Sequence, residues 1–260
     1  MELNYRLLIF ITLLVTMTAV ELVYPFIRLQ ARNQQQRWRI KAHNLLLVII
    51  SSGLIRLVFP WGLLVWGQYV ITHTPLPQLN WLPGVAGYVG TILVFDLLIY
   101  WQHRLFHRIS WLWRLHRVHH TDTALDATTG FRFHPIEMLL SFAIKCLAIG
   151  ILAPPLAAIL LFEIILSSSA ILNHSNIKPP FEQYLRLVWV TPQMHFGHHS
   201  RFGNECNHNY GFCIAWWDRL FGTYQAKPQK GFIADVIGDP GQPKQKTPPD
   251  FLRLLALPFR

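Results

Sequence analysis

Charge is scarce in this chain, and acidic charge scarcest. Only 14% of its 260 residues are Asp, Glu, Lys or Arg, 13 of them acidic against 23 basic. With 52% hydrophobic residues and a mean hydropathy of +0.28, so little charge excludes an ordinary solvated surface and points to an integral membrane protein. The formal charge of +10 does not make a nucleic-acid binder, because the basic residues form no single patch. They sit in short segments beside apolar runs, as positive-inside loops do. Cysteine is scarce too. Three residues, Cys146, Cys206 and Cys213, with no C-x-x-C pair, exclude a disulfide framework. Cys206 and Cys213 read as free thiols on the reducing side of a membrane. No P-loop, nucleophile elbow or internal repeat occurs. Gly84, Gly87 and Gly90 lie in an apolar stretch with no preceding strand, so they read as helix packing rather than a dinucleotide loop.

Apolar runs fill the space that charge vacates. Residues 7–26 can cross a bilayer, for which about 20 apolar residues suffice; no small-residue cleavage site follows, so the segment reads as a retained anchor. The basic stretch holding Arg28, Arg32, Arg37, Arg39 and Lys41 is expected on the cytoplasmic face. Residues 44–71 form a second span, interrupted by Arg56 and Pro60. Residues 72–83 carry no Lys, Arg, Asp or Glu, as expected of the opposite face, and residues 84–101 form a third span. Residues 137–172 are apolar but hold Ala153-Pro154-Pro155 near their centre, where proline ends a helix. Each half, of roughly 16 residues and about 24 Å, is marginal for crossing. Two crossings and a re-entrant hairpin both fit, and either returns the chain to its starting side. Gly130, Asn204 and the tail near Lys244 are then expected in the cytoplasm, with residues 75–83 opposite.

Histidine is what the chain has in excess. Three clusters read His103-x-x-x-His107, His116-x-x-His119-His120 and His195-x-x-His198-His199, all beside apolar segments. Residues three or four apart share a helix face, so each cluster should direct two or three imidazoles to one spot. Eight imidazoles exceed the needs of one ion and suit a pair of transition-metal ions, with iron, zinc and copper all compatible by ligand softness. Scattered core or surface histidine explains any one of them, but poorly explains three spaced clusters. His174, after Asn173 at the end of the apolar hairpin, is a further candidate ligand. His134 and His208 read as hydrogen-bonding neighbours of the ligands or as interfacial histidines; His43 and His73 receive no role. Asp96 lies seven residues before His103, two turns away on one face. A carboxylate inside a span needs a partner, and the outer N–H of a liganding histidine would supply one; pairing with a neighbouring helix is the alternative. Glu163 is open to the same two readings. The tryptophans flanking the spans read as interfacial anchors.

The runs Asp96-x-x-x-Tyr100-Trp101-x-His103-Arg104-x-x-His107, Leu112-Trp113-x-x-His116-x-x-His119-His120 and Arg132-x-His134-Pro135-x-Glu137 resemble the fatty acid hydroxylase/sterol desaturase superfamily. So do Pro192-x-x-His195-x-x-His198-His199, Asn209-Tyr210-Gly211 and the run from Trp217 to Tyr224. The resemblance covers about half the chain, with several motifs in the right order. It implies an all-α membrane bundle with a cytoplasmic-side, histidine-rich helical cap carrying a dinuclear iron site, and a lipid substrate, O2 and electrons from a separate protein. It implies ligand roles for His103, His107, His116, His119, His120, His195, His198 and His199, with His174 added. Together with the spans, this gives transmembrane helices over 1–95, a hydroxylase-like catalytic domain over 96–224 and a tail over 225–260 whose Pro, Lys and Gln read as an extended cytoplasmic segment, with residues 251–260 as a short amphipathic piece on the membrane. One departure stands out: Ala170 occupies the position four before His174 where acyl hydroxylases carry histidine. Asn173, water or a carboxylate would then complete one site, and the acyl-hydroxylase subgroup becomes a poorer match.

The reading that follows is hydroxylation of an unactivated lipid C–H bond, with desaturation as the near alternative. Sterol, fatty acyl, alkylglycerol and sphingoid lipids all remain open. Histidine ligation alone does not select iron, and zinc can replace it on overproduction. A metal transporter is the rival class, but transporters hold their ligands near the bilayer midplane, whereas these clusters fall just beyond the spans.

Overall fold

The computed structural model describes residues 2–27, 34–73, 81–82, 84–202, 204–242 and 249–260. Arg28, Arg32, residues 74–80, Pro83 and Lys244 lie outside the described residues, and so do the expectations placed on them. The described chain is all-α, its only β pairings being two isolated bridges. Seven helices form the bundle and its cap: α1 Glu2–Val23, α2 Gln34–Val58, α3 Gly62–His73, α4 Val85–Arg108, α5 Ser110–His120, α6 Pro135–Leu152 and α7 Leu156–His174. Pro60 separates α2 from α3. Counting Gln35–His73 as one unit through that break, five segments are long and apolar enough to cross a membrane.

The hairpin is longer than its sequence suggests. Ala153 caps α6 in the left-handed region (φ 39°), and Pro154-Pro155 prevents the helix from continuing. The two helices flanking that turn have 18 and 19 residues, about 27 and 29 Å at 1.5 Å per residue. Both therefore reach the length of a full crossing. At its other end α6 begins with Pro135 in its first turn and the His134 ring accepting from the Ile136 amide, a start that proline favours. Its interior packs Ile149 with Ile159 and Phe162 of α7, Phe95 and Ile99 of α4 and Leu63 of α3.

At the histidine-bearing end, buried polar groups tie the helix termini together. Glu21 at the end of α1 accepts from the amides of Ala127 (2.8 Å) and Asn176 (2.7 Å). Arg132 donates to the Val118 carbonyl, Thr121 and Asn44, joining α5 to α2. Gly130 sits in a 3-10 turn so close to α7 that a Cβ there would lie 2.3 Å from the Ala170 carbonyl oxygen. Gly130 is buried there, whereas Asn204 is exposed.

The described parts of the tail, 225–242 and 249–260, pack onto the rest of the protein. Val236 and Ile237 are buried against Leu125 and Phe196, and Asp239 accepts from Arg117 at 2.8–3.1 Å. The short helix Phe251–Ala256 places Leu254 against Leu47 and Val118. Leu254 is thus taken up by α2 and α5, while Leu252 (77%) and Phe259 (68%) stay exposed.

Candidate metal centre

A single extended residue, Ile109, separates α4 from α5, so α5 folds back alongside α4 and their histidines face each other. A third element supplies the rest. Thr191 accepts from the Met194 amide at the start of the short helix Pro192–His198, and Pro192 sits in its first turn. The nine candidate imidazoles then fall into two groups, each with ring nitrogens within 4.8 Å of one another: His103, His107, His116, His120 and His198 in one, and His119, His174, His195 and His199 in the other. The groups adjoin, the His120 and His199 rings lying 4.6 Å apart.

The partition has a simple helical origin. His103/His107, His116/His120 and His195/His199 are each four apart and stay together; His119 and His198, three along from His116 and His195, turn to the other group. The expectation that each H-x-x-H-H triad points at one spot is therefore corrected. Each triad straddles both groups, because three and four residues lie on opposite sides of the 3.6-residue turn.

The ring nitrogens fit metal ions. In the four-histidine group, His174 Nε2 is 3.0 Å from His119 Nε2 and 2.9 Å from His195 Nε2, and His199 Nε2 is 3.2 Å from His195 Nε2. Metal–nitrogen bonds of about 2.0–2.1 Å place adjacent ligand atoms about 3 Å apart, so this spacing suits nitrogens sharing one ion. In the five-histidine group the Nε2 atoms of His103, His116 and His198 and both nitrogens of His107 and His120 are enclosed without a hydrogen-bond partner among the described residues. Burial holds His116 down at about 3; burial first, then neighbouring imidazoles, hold His119, His120, His195, His198 and His199 well below the ordinary histidine value. At neutral pH these rings are uncharged and their lone pairs are available, as metal binding requires.

Several outer ring nitrogens have fixed acceptors. His116 Nδ1 pairs with Glu137 Oε1 at 2.6 Å, His103 Nδ1 with the Tyr210 carbonyl at 2.9 Å, His198 Nδ1 with the His208 carbonyl at 2.8 Å and His174 Nδ1 with the Ala170 carbonyl at 2.7 Å. Such a contact fixes the tautomer with Nε2 bare and aimed inward.

A family model described as fatty acid hydroxylase matches residues 88–223, and that stretch holds all nine candidate ligand histidines. The chain belongs to the fatty acid hydroxylase family. Among its relatives, the ornithine lipid hydroxylase of Rhizobium tropici is 32% identical over 168 residues, covering 65% of this chain and 49% of that protein. The alkylglycerol monooxygenase of Xenopus tropicalis is 27% identical over 175 residues, with 64% and 35% covered. The cholesterol 25-hydroxylase of Rattus norvegicus is 28% identical over 177 residues, with 66% and 57% covered. The chain thus spans about half or less of the first two relatives' length. No solved structure matches.

Within this fatty acid hydroxylase stretch, the residues expected around the ligands have other occupations. Asp96 does not receive a histidine N–H: it accepts from the amides of Cys213 (3.1 Å) and Ile214 (3.0 Å) and from the Trp217 indole (2.9 Å). Two turns apart on α4, Asp96 meets residues 213–217 while His103 Nδ1 faces the Tyr210 carbonyl of the same loop. Glu163 bridges Lys145 (2.5 Å) and Arg6 (2.8 Å) inside the bundle. The Asn173 amide donates to the Phe212 carbonyl, and the His134 ring lies between the Ile136 amide and the Leu255 carbonyl. The His208 ring meets the Asn204 carbonyl at 3.2 Å; its backbone carbonyl, not its ring, touches a candidate ligand.

Two carboxylates that do shape the site carry no role in the sequence reading. Glu137 is one. Asp218 is the other, accepting from the amides of Tyr210 and Gly211 and from the Thr223 hydroxyl, each at 2.7 Å. Burial raises its carboxyl to about 6. It holds the loop whose Tyr210 carbonyl faces His103. Both residues lie in the motifs that carry the family resemblance, which was the available signal.

Proposed function

We propose that this chain is a membrane-bound, O2-dependent lipid hydroxylase with two iron ions, one held by His103, His107, His116, His120 and His198 and the other by His119, His174, His195 and His199. The observation that carries the reading is the pair of adjoining nitrogen-only groups at one end of apolar helices. The substrate class is a membrane lipid with an unactivated C–H bond, of the sterol, fatty acyl, alkylglycerol or sphingoid kind. In the overall reaction one C–H bond and one O2 are consumed with two electrons and two protons, and an alcohol and water leave. When bound, iron would supply the redox chemistry that makes O2 reactive toward such a bond.

The chain's own part is to hold and exclude. Glu137 and the Tyr210, His208 and Ala170 carbonyls keep four rings in a ligating tautomer. The buried cage keeps bulk water from the reacting centre. The electrons come from a separate donor protein, and the histidine end faces the cytoplasm, in keeping with the Lys/Arg distribution.

The test is turnover of purified, iron-loaded protein in lipid with a reduced electron carrier and isotopically heavy O2. The expected result is one heavy oxygen atom in the lipid product and the other in water. A product with a new double bond and no heavy oxygen would move the assignment to desaturation. Iron-loaded protein that consumes no O2 with any of the four lipid classes would overturn the reading.

A further inference from the structure

An apolar surface lies outside all five candidate spans. Between residues 180 and 190, just after α7, Phe181, Tyr184, Leu185, Leu187, Val188 and Trp189 are all exposed, Phe181 at 75%, Tyr184 at 63% and Leu187 at 56%. In water such a run is costly at about 25 cal/mol per Å2 of apolar area, and contiguous exposed apolar patches mark interaction sites. From Tyr184 to Trp189 every backbone amide is already satisfied locally. The amides of Leu185 and Trp189 donate to the carbonyls of Phe181 and Leu185, and those of Leu187 and Val188 to Tyr184 and Leu185. A segment that needs no water for its backbone can leave water.

The surface continues onto a second element and then onto a spanning helix. The Trp216 indole donates to the Leu187 carbonyl, and Arg219 donates to the Arg186 carbonyl, joining the segment to the short helix Trp216–Leu220. Leu220 is 68% exposed. Phe221, next in the chain, packs on Trp101 of α4 with ring centroids 4.9 Å apart, and Trp101 is itself exposed within the span Val85–Arg108. Charge on the patch is basic: Lys178 and Arg219 are exposed, while Glu182 is engaged by Arg186 and Thr191. Aromatic rings with arginine and lysine beside a span are the composition of a membrane–water boundary.

We propose that residues 181–189 and the helix Trp216–Leu220 form a foot that rests in the headgroup boundary of the same bilayer that α4 crosses, pressing the histidine cap against the membrane surface. The foot stands on exposure and on the spans, not on the metal reading, and its failure would leave that reading untouched.

The full chain is reconstituted in phosphatidylcholine nanodiscs with an environment-sensitive thiol label at Leu187→Cys, Leu220→Cys or, for reference, the exposed Asn204→Cys. The native cysteines are buried or half-buried, and the unsubstituted protein serves as the labelling blank. Nitroxide-bearing lipid should quench the labels at 187 and 220 at least about twofold more than the label at 204, with aqueous iodide showing the reverse order, as expected for groups about 5–10 Å into the boundary. Free access of iodide to 187 and 220 would overturn the proposal. Shielding of both from iodide and from nitroxide lipid alike would assign the face to protein contact and overturn it equally. Should either cysteine variant misfold, photolabelling of the unsubstituted chain with a diazirine phospholipid decides: peptides containing 181–189 and 216–220 should carry lipid, and their absence from the labelled set refutes the foot.

Discussion

The five-histidine and four-histidine groups draw on the same helices, α5 and the segment Pro192–His198, yet they are held in different ways. In the first, the rings of His103, His116 and His198 lean on fixed acceptors outside the cage: the Tyr210 carbonyl, Glu137 and the His208 carbonyl. In the second, only His174 has such a support; the Nδ1 atoms of His119, His195 and His199 have no partner among the described residues. Packing holds these rings, Phe133 lying parallel to His119 with centroids 4.3 Å apart. The first group is also the more open. His107 is half-buried, whereas all four rings of the second group are buried. One site is thus oriented largely by hydrogen bonds, with one half-buried residue at its edge; the other is oriented by close contact and is buried throughout. Changes to the supporting residues should therefore fall mainly on the first.

The sharpest way to break this comparison is to remove histidines in pairs. His116→Ala/His120→Ala removes two ligands from one group and should leave about one metal ion per chain. His116→Ala/His119→Ala takes one from each, weakens both sites, and should retain less. Activity should fall by more than about 100-fold in either pair, beyond the 10–100-fold typical of losing an outer support. Elemental analysis after identical purification checks the counts. Equal metal content in the two pairs would mean that the groups do not act as separate sites.

Glu137→Gln should come next. The amide preserves size, but it binds the His116 N–H less firmly and no longer favours the bare Nε2. A loss of about 10–100-fold in metal affinity is expected, confined to one of two metal equivalents in a chelator titration. Loss of both equivalents together would show that the sites are coupled rather than separately supported.

Asp218→Asn and Asp96→Asn should have smaller effects on metal, because each acts through the loop between Asn209 and Trp217 and not on a ring. Replacing a buried acceptor by an amide that turns a donor toward backbone N–H groups costs about 1–3 kcal/mol in stability. Thermal unfolding should show that loss in both variants, with metal affinity falling less than in Glu137→Gln. A larger metal loss in Asp96→Asn than in Glu137→Gln would restore Asp96 as a direct support for the ligands.

The spans, the proline-broken hairpin and eight of the nine candidate ligands are legible in the sequence, because apolar length and three- and four-residue histidine spacing are local signals; His174 has no such partner and is read from its place at the end of the hairpin. What is not legible depends on where loops return. Asp96 shares a face of α4 with His103, yet residues 213–217 fold against it first, and no periodicity encodes that contact. Glu137 sits in the first turn of an apolar helix, separated from His116 by 21 residues, with nothing local linking the two. Gly130 looks like an ordinary loop glycine until α7 is set beside it. The tail reads as extended because it is rich in Pro, Lys and Gln, yet Val236, Ile237 and Leu254 bury, while Ile233, Leu252 and Phe259 stay exposed.

The mildest prediction separates a residue's ring from its backbone. His208 lies beside the site in sequence and in space, and a histidine there invites a ligand role. Its ring instead meets the Asn204 carbonyl at 3.2 Å on an exposed edge, while its carbonyl faces His198 Nδ1 at 2.8 Å. Alanine keeps that carbonyl. His208→Ala should therefore hold both metal equivalents and change turnover by no more than about threefold, since an exposed hydrogen bond contributes only about 0.5–1.5 kcal/mol. Metal content and O2 consumption, measured beside Glu137→Gln, check it. A metal loss as large as that of Glu137→Gln would mean that the His208 ring, and not its backbone, takes part in holding the first group, and the hydrogen-bonded account of that site would have to be redrawn.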